Sequence, residues 1–344
     1  MKVFSCPTCG QLVFFGNSLC LRCGTEFAVD PAALAMVATG GDTRPCANRL
    51  VAACNWVANG YLCVSCQLTR TRPADDDKEG LRLFAIAEKA KRRLVFQLLV
   101  LSLPLEPRDE VRGTGVAFDL LVSGDQPITT GHASGIITLD LAESDAVHRE
   151  RVRTLMSEPY RTVLGHFRHE IGHYYHTVLV DEHDRAEVRQ LFGDETLDYQ
   201  AALDRHYRHG APADWTSTHV TEYATMHPAE DWAETFAHYL HIRSVLHTAT
   251  SYRVRVDGPV MPEPPLAPLH TDPANVSLDS IEDIIAAWLP LSYALNAMNR
   301  SMGTDDLYPF VLRAPVVAKL GLIHRLVQRA AALDINDHRQ DILI

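Results

Sequence analysis

Apolar and polar positions follow two different periods along the chain. Between residues 81 and 98, after three consecutive aspartates, apolar residues recur with near-helical spacing and predict a helix. Between 116 and 122, and again between 137 and 141, they alternate with other residues, which predicts two or three strands around a Gly-His-Ala-Ser-Gly turn at 131–135. Helical patterns follow over 145–179, 185–192, 199–208 and 228–247, and resume from about 278 and about 315. The pattern predicts an α+β fold that is mainly helical, with a small β-sheet.

Proline interrupts the helical pattern in two places. Pro159 stands where a second helix would begin within 145–179, because proline is favoured in the first turn of a helix. Six prolines between residues 259 and 273 predict an extended crossing of the surface, since proline cannot continue a helix.

Composition and charge narrow the class of protein. The 344 residues are 47% hydrophobic and 22% charged, which fits a globular chain and excludes a disordered, collagen-like or coiled-coil one. The formal net charge of -11 argues against nucleic-acid binding through the whole surface. The most apolar stretch, Leu94–Leu105, is shorter than the ~18 residues of a membrane span, so no membrane association is expected. The first residues lack the apolar segment of a secretory signal, and we expect a cytoplasmic protein.

All eight cysteines lie before residue 67, in two groups that we call the first and second cysteine clusters. The first comprises Cys6, Cys9, Cys20 and Cys23, and the second Cys46, Cys54, Cys63 and Cys66. In the first, both pairs have C-x2-C spacing followed by glycine, which predicts a tetrahedral four-thiolate zinc site. In the second only the last pair has this spacing, so a second structural zinc is predicted and a redox or unliganded arrangement stays open. Closed four-thiolate sites do no chemistry; they fold a small segment.

These clusters define a predicted module of residues 1–72, followed by a body of residues 73–344. Through residue 74 the module has six basic and three acidic residues. Each zinc with four thiolates adds about two negative charges, which removes this surplus. Nucleic acid is therefore not the expected partner, and a protein partner or packing on the body is favoured.

A second metal-ligand pattern lies within the predicted helix 145–179. His169-Glu170-Ile171-Gly172-His173 has the form H-E-x-x-H. On a helix the two histidines stand one turn apart on one face and can reach one zinc, while Glu170 can deprotonate a water on that metal. The alternative is a helix with incidental histidines.

A third ligand must come from another segment. A histidine or aspartate six residues after His173 is excluded because Leu179 stands there. The next candidates are Glu230 and Glu234, one turn apart at the start of the predicted helix 228–247. One could bind the metal while the other hydrogen-bonds a ligand histidine.

Joined in one chain, these motifs resemble those of the gluzincin metallopeptidases. The closer resemblance is to bacterial zinc-binding metallopeptidases with an N-terminal zinc ribbon, and it covers nearly the whole chain. It rests on both cysteine clusters and on three segments, residues 130–140 (TGHASGIITLD), residues 158–175 (from Glu-Pro-Tyr-Arg to His-Tyr-Tyr) and residues 227–234 (HPAEDWAE). The resemblance implies a zincin-like metallopeptidase body preceded by a zinc-ribbon module.

The resemblance also implies roles for single residues. Lethal-factor-type gluzincins have a Glu-x-x-x-Glu helix whose first glutamate binds zinc, with a tyrosine seven residues earlier. Applied to this chain, the resemblance implies that His169, His173 and Glu230 bind the zinc. Glu234 would then lie just outside the zinc ligands without binding the metal itself. Tyr223 would then donate a hydrogen bond to the oxyanion of the reaction. The alternative that Tyr223 only packs in the core stays open.

Two further points stay open in the sequence. His219 and His227 flank Tyr223 and are rivals for oxyanion stabilisation. The strand at 134–141 could be a sheet edge that pairs with an extended peptide, as in zinc peptidases, or an ordinary core strand.

The combined prediction is a zinc-dependent metallopeptidase with one catalytic and two structural Zn2+ ions, acting on a peptide or protein substrate, with Glu170 as the general base. The alternative is a zinc-ribbon protein-interaction scaffold with a latent or vestigial protease site. A second rival is a ribbon-directed protease that acts on nucleic-acid-bound proteins.

Overall fold

The computed structural model describes residues 2–124, 128–155, 161–259, 261 and 269–341. The chain divides into two compact units. One unit comprises Val3–Tyr174 with the described residues from Ala330 onward, and the other comprises Tyr175–Arg329 with Lys2. Helices predominate and the sheets are small, so the predicted α+β class is confirmed. Within the described ranges, no helix combines the length and apolarity needed to cross a membrane.

The cysteine-bearing part of the first unit is made of two short hairpins and one helical turn. These are β1 (Phe4–Ser5), β2 (Leu12–Val13), β3 (Phe27–Asp30), β4 (Ala35–Ala38) and α1 (Val64–Gln67). β1 pairs with β2 and β3 with β4, both antiparallel. Phe15 and Trp56 from this part pack against Phe96, with ring centroids 5.1 and 6.5 Å from that ring. Aromatic packing therefore compensates for the small size of the hairpins.

A four-stranded sheet forms the rest of the core of this unit. Its elements are β5 (Thr69–Thr71), α2 (Lys78–Val100), β6 (Ala117–Leu121), β7 (Gly131–Ala133) and β8 (Ile136–Asp140). The strand order is β5-β6-β8-β7, in which the first two pairs are parallel and β7 is antiparallel to β8. The two strands predicted from alternation are present.

The turn is shorter than the predicted segment 131–135. Only Ser134 and Gly135 turn, both with positive φ (48° and 80°), and Gly131–Ala133 fold back as the edge strand β7. A side chain on Gly135 would lie 2.5 Å from the Gly115 carbonyl oxygen, which explains the glycine. Because β8 is paired on both sides, it is a core strand, which decides between the two alternatives left open for this segment.

Helix α2 begins where the aspartates predicted, since the Asp77 side chain accepts the Gly80 N–H at 2.8 Å. It carries a fully buried ion pair, in which the Lys91 Nζ lies 2.5 Å from the Glu88 carboxylate. The Thr69 hydroxyl of β5 contacts both groups. Arg92 donates to the carbonyls of Ala52 and Ala53, so α2 joins the cysteine-bearing part to the sheet.

The helical pattern over 145–179 contains α3 (Ala146–Leu155) and α4 (Val163–Leu179). The second helix begins at Val163, and its predicted start at Pro159 lies, with the rest of 156–160, outside the described residues. Phe167 packs edge-on against Phe118 of β6, and Arg168 donates to the Gln97 side chain of α2 at 2.9 Å. These contacts fix the first turns of α4 on the sheet.

The second unit is almost entirely helical. After the end of α4 it contains α5 (Arg185–Phe192), α6 (Tyr199–His209), α7 (Pro228–Tyr252), β9 (Val256–Asp257), β10 (His270–Thr271), α8 (Ile281–Ser301) and most of α9 (Ala314–Asp341). The predicted helices are present, and α7 runs five residues past its expected end at 247. Trp232, Phe236, Tyr239 and Trp288 are fully buried in its core. Most of the proline-rich stretch at 259–273 lies outside the described residues.

Candidate metal centres

The first cysteine cluster is formed by two knuckles that turn at Gly10 and Gly24. Both glycines have positive φ (69° and 74°) and return their N–H groups to the carbonyls of Cys6 and Cys20. The Sγ atoms of Cys6 and Cys23 lie 3.6 Å apart, as do those of Cys9 and Cys20. Two sulfurs bound to one tetrahedral zinc are about 3.8 Å apart, so the donor set fits zinc. Hydrogen bonds from Thr25 lower the pKa of Cys23 to about 6, towards the thiolate that a metal binds.

The second cysteine cluster has the same chemistry in a buried setting. All four of its cysteines are at most 1% exposed, whereas Cys23 of the first cluster is exposed. The backbone N–H groups of Cys63 and Cys66 point at the sulfurs of Cys46 and Cys63, at 3.3 and 3.4 Å. The Sγ atoms of Cys54 and Cys63 lie 3.6 Å apart. The four sulfurs lie within 4.8 Å of one another and form one group that could hold a metal ion, as the second structural zinc predicts.

Helix α4 presents the H-E-x-x-H residues as the sequence predicts. The Nε2 atoms of His169 and His173 lie 3.2 Å apart. Two imidazole nitrogens on one tetrahedral zinc are about 3.3 Å apart, so this separation fits a shared metal. Glu170, next to His169, is buried.

His132 of the edge strand β7 stacks on His173, with ring centroids 6.2 Å apart and planes at 8°. Its Nε2 accepts the Gly135 N–H at 3.0 Å, so a neutral ring carries its proton on Nδ1. Burial, with a smaller contribution from His173, lowers the pKa of His132 to about 4. This histidine belongs to the segment 130–140, but the sequence pattern predicted no function for it.

In the second unit, His227 caps helix α7. Its Nδ1 accepts the Ala229 N–H at 3.1 Å, and its Nε2 donates to the Leu197 carbonyl at 3.0 Å. Both ring nitrogens are thereby used in holding the backbone. This arrangement argues against His227 as a rival for oxyanion stabilisation.

Glu230 lies in the first turn of α7 and is 3% exposed. The Tyr199 hydroxyl, from the first residue of α6, donates to its Oε1 at 3.1 Å. One turn later, the Thr221 hydroxyl donates to Glu234 Oε2 at 2.7 Å. Burial, the charge of Glu230 and a hydrogen bond with Tyr199 raise the pKa of Tyr223 far above its ordinary value. Tyr223 therefore keeps its proton and remains a hydrogen-bond donor.

A buried ion pair holds the segment before α7. Lys319 of α9 lies 2.6 Å from the Asp231 carboxylate and donates to the Thr218 carbonyl at 2.7 Å. Burial raises the pKa of Asp231 to about 6, although Lys319 opposes the shift. His219 Nε2 lies 3.6 Å from the same carboxylate, and burial lowers its pKa to about 4. This rival for oxyanion stabilisation is thus engaged beside Asp231.

The described residues contain three groups of side chains able to hold a metal ion. Two are the cysteine clusters, and the third is His169, His173 and Glu230, whose ligand atoms lie within 4.8 Å of one another. Glu234 and Tyr223 are not in this group. Immediately after His173, Tyr175 stacks on Phe236 of α7 and His176 packs on Trp232, with ring centroids 5.4 and 5.0 Å apart.

Sequence reasoning missed Tyr199. A tyrosine at the start of a helix carries no signal in a single sequence, and its bond to Glu230, 31 residues later, exists only in the fold.

Comparison with known proteins gives a consistent picture. Residues 80–326 match the family described as "Putative zinc-binding metallo-peptidase", and residues 3–77 match a zinc-ribbon domain. Uncharacterized proteins of Mycobacterium bovis and of two Mycobacterium tuberculosis strains are 49% identical over 339 residues, which cover 96% of each chain. No solved structure matches the chain.

Proposed function

The chain belongs to the family of putative zinc-binding metallo-peptidases, and from this membership we propose that it hydrolyses peptide bonds at a zinc held by His169, His173 and Glu230. The observation that carries the proposal is the grouping of these three ligand atoms within 4.8 Å around an H-E-x-x-H helix turn. Zinc at such a site supplies Lewis-acid chemistry, which polarises the scissile carbonyl and makes a water acidic.

The donor set distinguishes this group from the two cysteine clusters. Three protein ligands leave one of four zinc positions open, whereas four thiolates fill all of them. Two neutral imidazoles and one carboxylate also leave a net positive charge on the zinc, while four thiolates make the site negative. Only this group therefore suits catalysis, and the two cysteine clusters take structural zincs.

Glu170 is the general base of the proposed reaction. It follows His169 directly and is buried. In an H-E-x-x-H turn, the glutamate at this position serves as the base for the metal-bound water. It takes the proton of the attacking water and later passes it to the leaving amine.

Tyr223 stabilises the developing oxyanion. Because its pKa is raised by burial and by the charge of Glu230, its hydroxyl stays protonated at neutral pH. A protonated donor aimed at developing negative charge lowers the barrier of an acyl-transfer reaction.

A second candidate function, a protein-interaction scaffold, is favoured by the surface of the cysteine-bearing part. Leu12, Phe14, Leu19 and Leu21 line one concave surface there and are 45–95% exposed. Such exposed apolar side chains are typical of protein-binding surfaces.

The test compares the new peptide N-termini that appear in a cell lysate incubated with the wild-type protein or with Glu170→Gln. We expect cleavage by the wild type and a loss of at least ~1,000-fold in the variant, with zinc content unchanged. Glu182→Gln, at an exposed glutamate, is the matched control and should cleave like the wild type. Cleavage by Glu170→Gln at the wild-type level would refute the mechanism. If none of the three proteins cleaved any peptide, the result would favour the scaffold function.

A further inference from the structure

Tyr199 is placed so that its hydroxyl meets the proposed zinc ligand Glu230. Its hydroxyl donates to Oε1 of Glu230 at 3.1 Å, and this carboxylate is almost completely buried. A buried carboxylate loses its water, so a hydrogen bond that replaces that water has a large influence on its orientation.

The position of Tyr199 is fixed from two directions. The preceding residue, Asp198, caps α6 by accepting the Ala201 N–H at 3.0 Å. On the other side, His227 holds the Leu197 carbonyl and packs its ring against Tyr199, with centroids 5.3 Å apart. Since His227 also caps α7, the start of α6 is tied to the same helical turn that carries Glu230.

A carboxylate bound to zinc through one oxygen can rotate and exchange its two oxygens. A hydrogen bond to one oxygen removes this freedom and directs the other towards the metal. Because Tyr199 engages Oε1, the metal would be met by Oε2.

We infer that Tyr199 is a positioning residue that orients Glu230 for zinc. The inference rests on the proposed function, because it assumes that Glu230 is a zinc ligand. Removing such an outer hydrogen bond typically weakens metal affinity about 10–100-fold.

The experiment measures zinc occupancy of the full-length protein at a series of free zinc concentrations set by a chelator buffer. Bound zinc per chain is counted in the wild type, Tyr199→Phe, Glu230→Ala and Tyr293→Phe. Tyr293 is the matched control, since it is also a half-exposed helical tyrosine (47% exposed, against 43% for Tyr199). Urea unfolding of each protein, stripped of its weakest zinc, reports any purely structural effect.

We expect Tyr199→Phe to need about 10–100-fold more free zinc for half-occupancy of the third site, with the two cysteine-bound zincs unchanged. Glu230→Ala should lose the third zinc, Tyr293→Phe should match the wild type, and the unfolding curves should coincide. The inference alone is overturned if Tyr199→Phe binds the third zinc like the wild type while Glu230→Ala does not. If Glu230→Ala retains that zinc, or the wild type binds only two, the proposed ligand set falls together with the inference.

Discussion

The cysteine-bearing part and the helices α4 and α7 carry candidate metal ligands that are spaced along the chain in opposite ways. In the first, each set of four sulfurs comes from one short segment, 6–23 or 46–66, with knuckle turns that arrange the donors locally. In the second, His169 and His173 share one helix while Glu230 belongs to a helix much later in the chain. Local donors build a closed structural site, whereas a site assembled from distant helices can keep a position open.

The two cysteine clusters also differ from each other. All four cysteines of the second cluster are buried, and they lie near the ion pairs that Glu88 forms with Lys91 and Arg92 in helix α2. The first is partly exposed and stands near the apolar concave surface. Burial against α2 indicates that the second cluster also stabilises the body, while the first stabilises chiefly its own hairpins.

The largest expected effect separates structural ligands from the proposed catalytic ones. Cys54→Ser should unfold the cysteine-bearing part, because metal binding there supplies folding free energy, about 10 kcal/mol or more in isolated zinc modules. His173→Ala should lose the third zinc, and its free energy of unfolding should lie within about 1 kcal/mol of that of the wild type stripped of the same zinc. Limited proteolysis and urea unfolding measure both. Equal destabilisation by the two variants would remove the distinction between the sites.

A smaller effect is expected at the buried ion pair between Lys91 and Glu88 in helix α2. Lys91→Met leaves the Glu88 carboxylate buried without its main cation, which costs about 3 kcal/mol of unfolding free energy. Urea unfolding measures this loss. Lys89→Met, at an exposed position of the same helix, is the control and should stay within about 0.5 kcal/mol of the wild type. If Lys91→Met left the free energy of unfolding unchanged, the ion pair in α2 would not contribute to the stability of this region.

The smallest effect lies between β5 and β6, where Arg70 pairs with Asp119. The Arg70 hydrogen bond lowers the pKa of Asp119, so the pair stabilises the fold above the ordinary carboxyl pKa of about 4 and loses this effect as pH falls through the lowered value. The contribution is below about 1 kcal/mol, because Arg70 is 41% exposed and screened by water.

Asp119→Asn should therefore be less stable than the wild type at pH 7, and the difference should vanish in acid. Thermal unfolding across this pH range measures it. A difference that grows towards low pH would contradict the assignment of the shift to Arg70.

The sequence alone determined the features that depend on neighbouring residues. Cysteine pairs, the H-E-x-x-H turn and the helices from α2 to α9 are all encoded by spacing over one or a few turns, since ligand geometry and helical periodicity are local. The aspartates before α2 and Pro228 in the first turn of α7 marked helix starts for the same reason.

Only the tertiary structure decided which distant residues meet. It made Gly131–Ala133 an edge strand, engaged His227 in a helix cap, and placed Tyr199 on the Glu230 carboxylate. None of these has a local signature, because strand pairing and side-chain hydrogen bonds depend on how helices and strands pack. The choice between Glu230 and Glu234 was likewise open in the residues and depended on a resemblance. The group of candidate metal ligands contains Glu230 and not Glu234, so the proposal takes Glu230 as the third ligand.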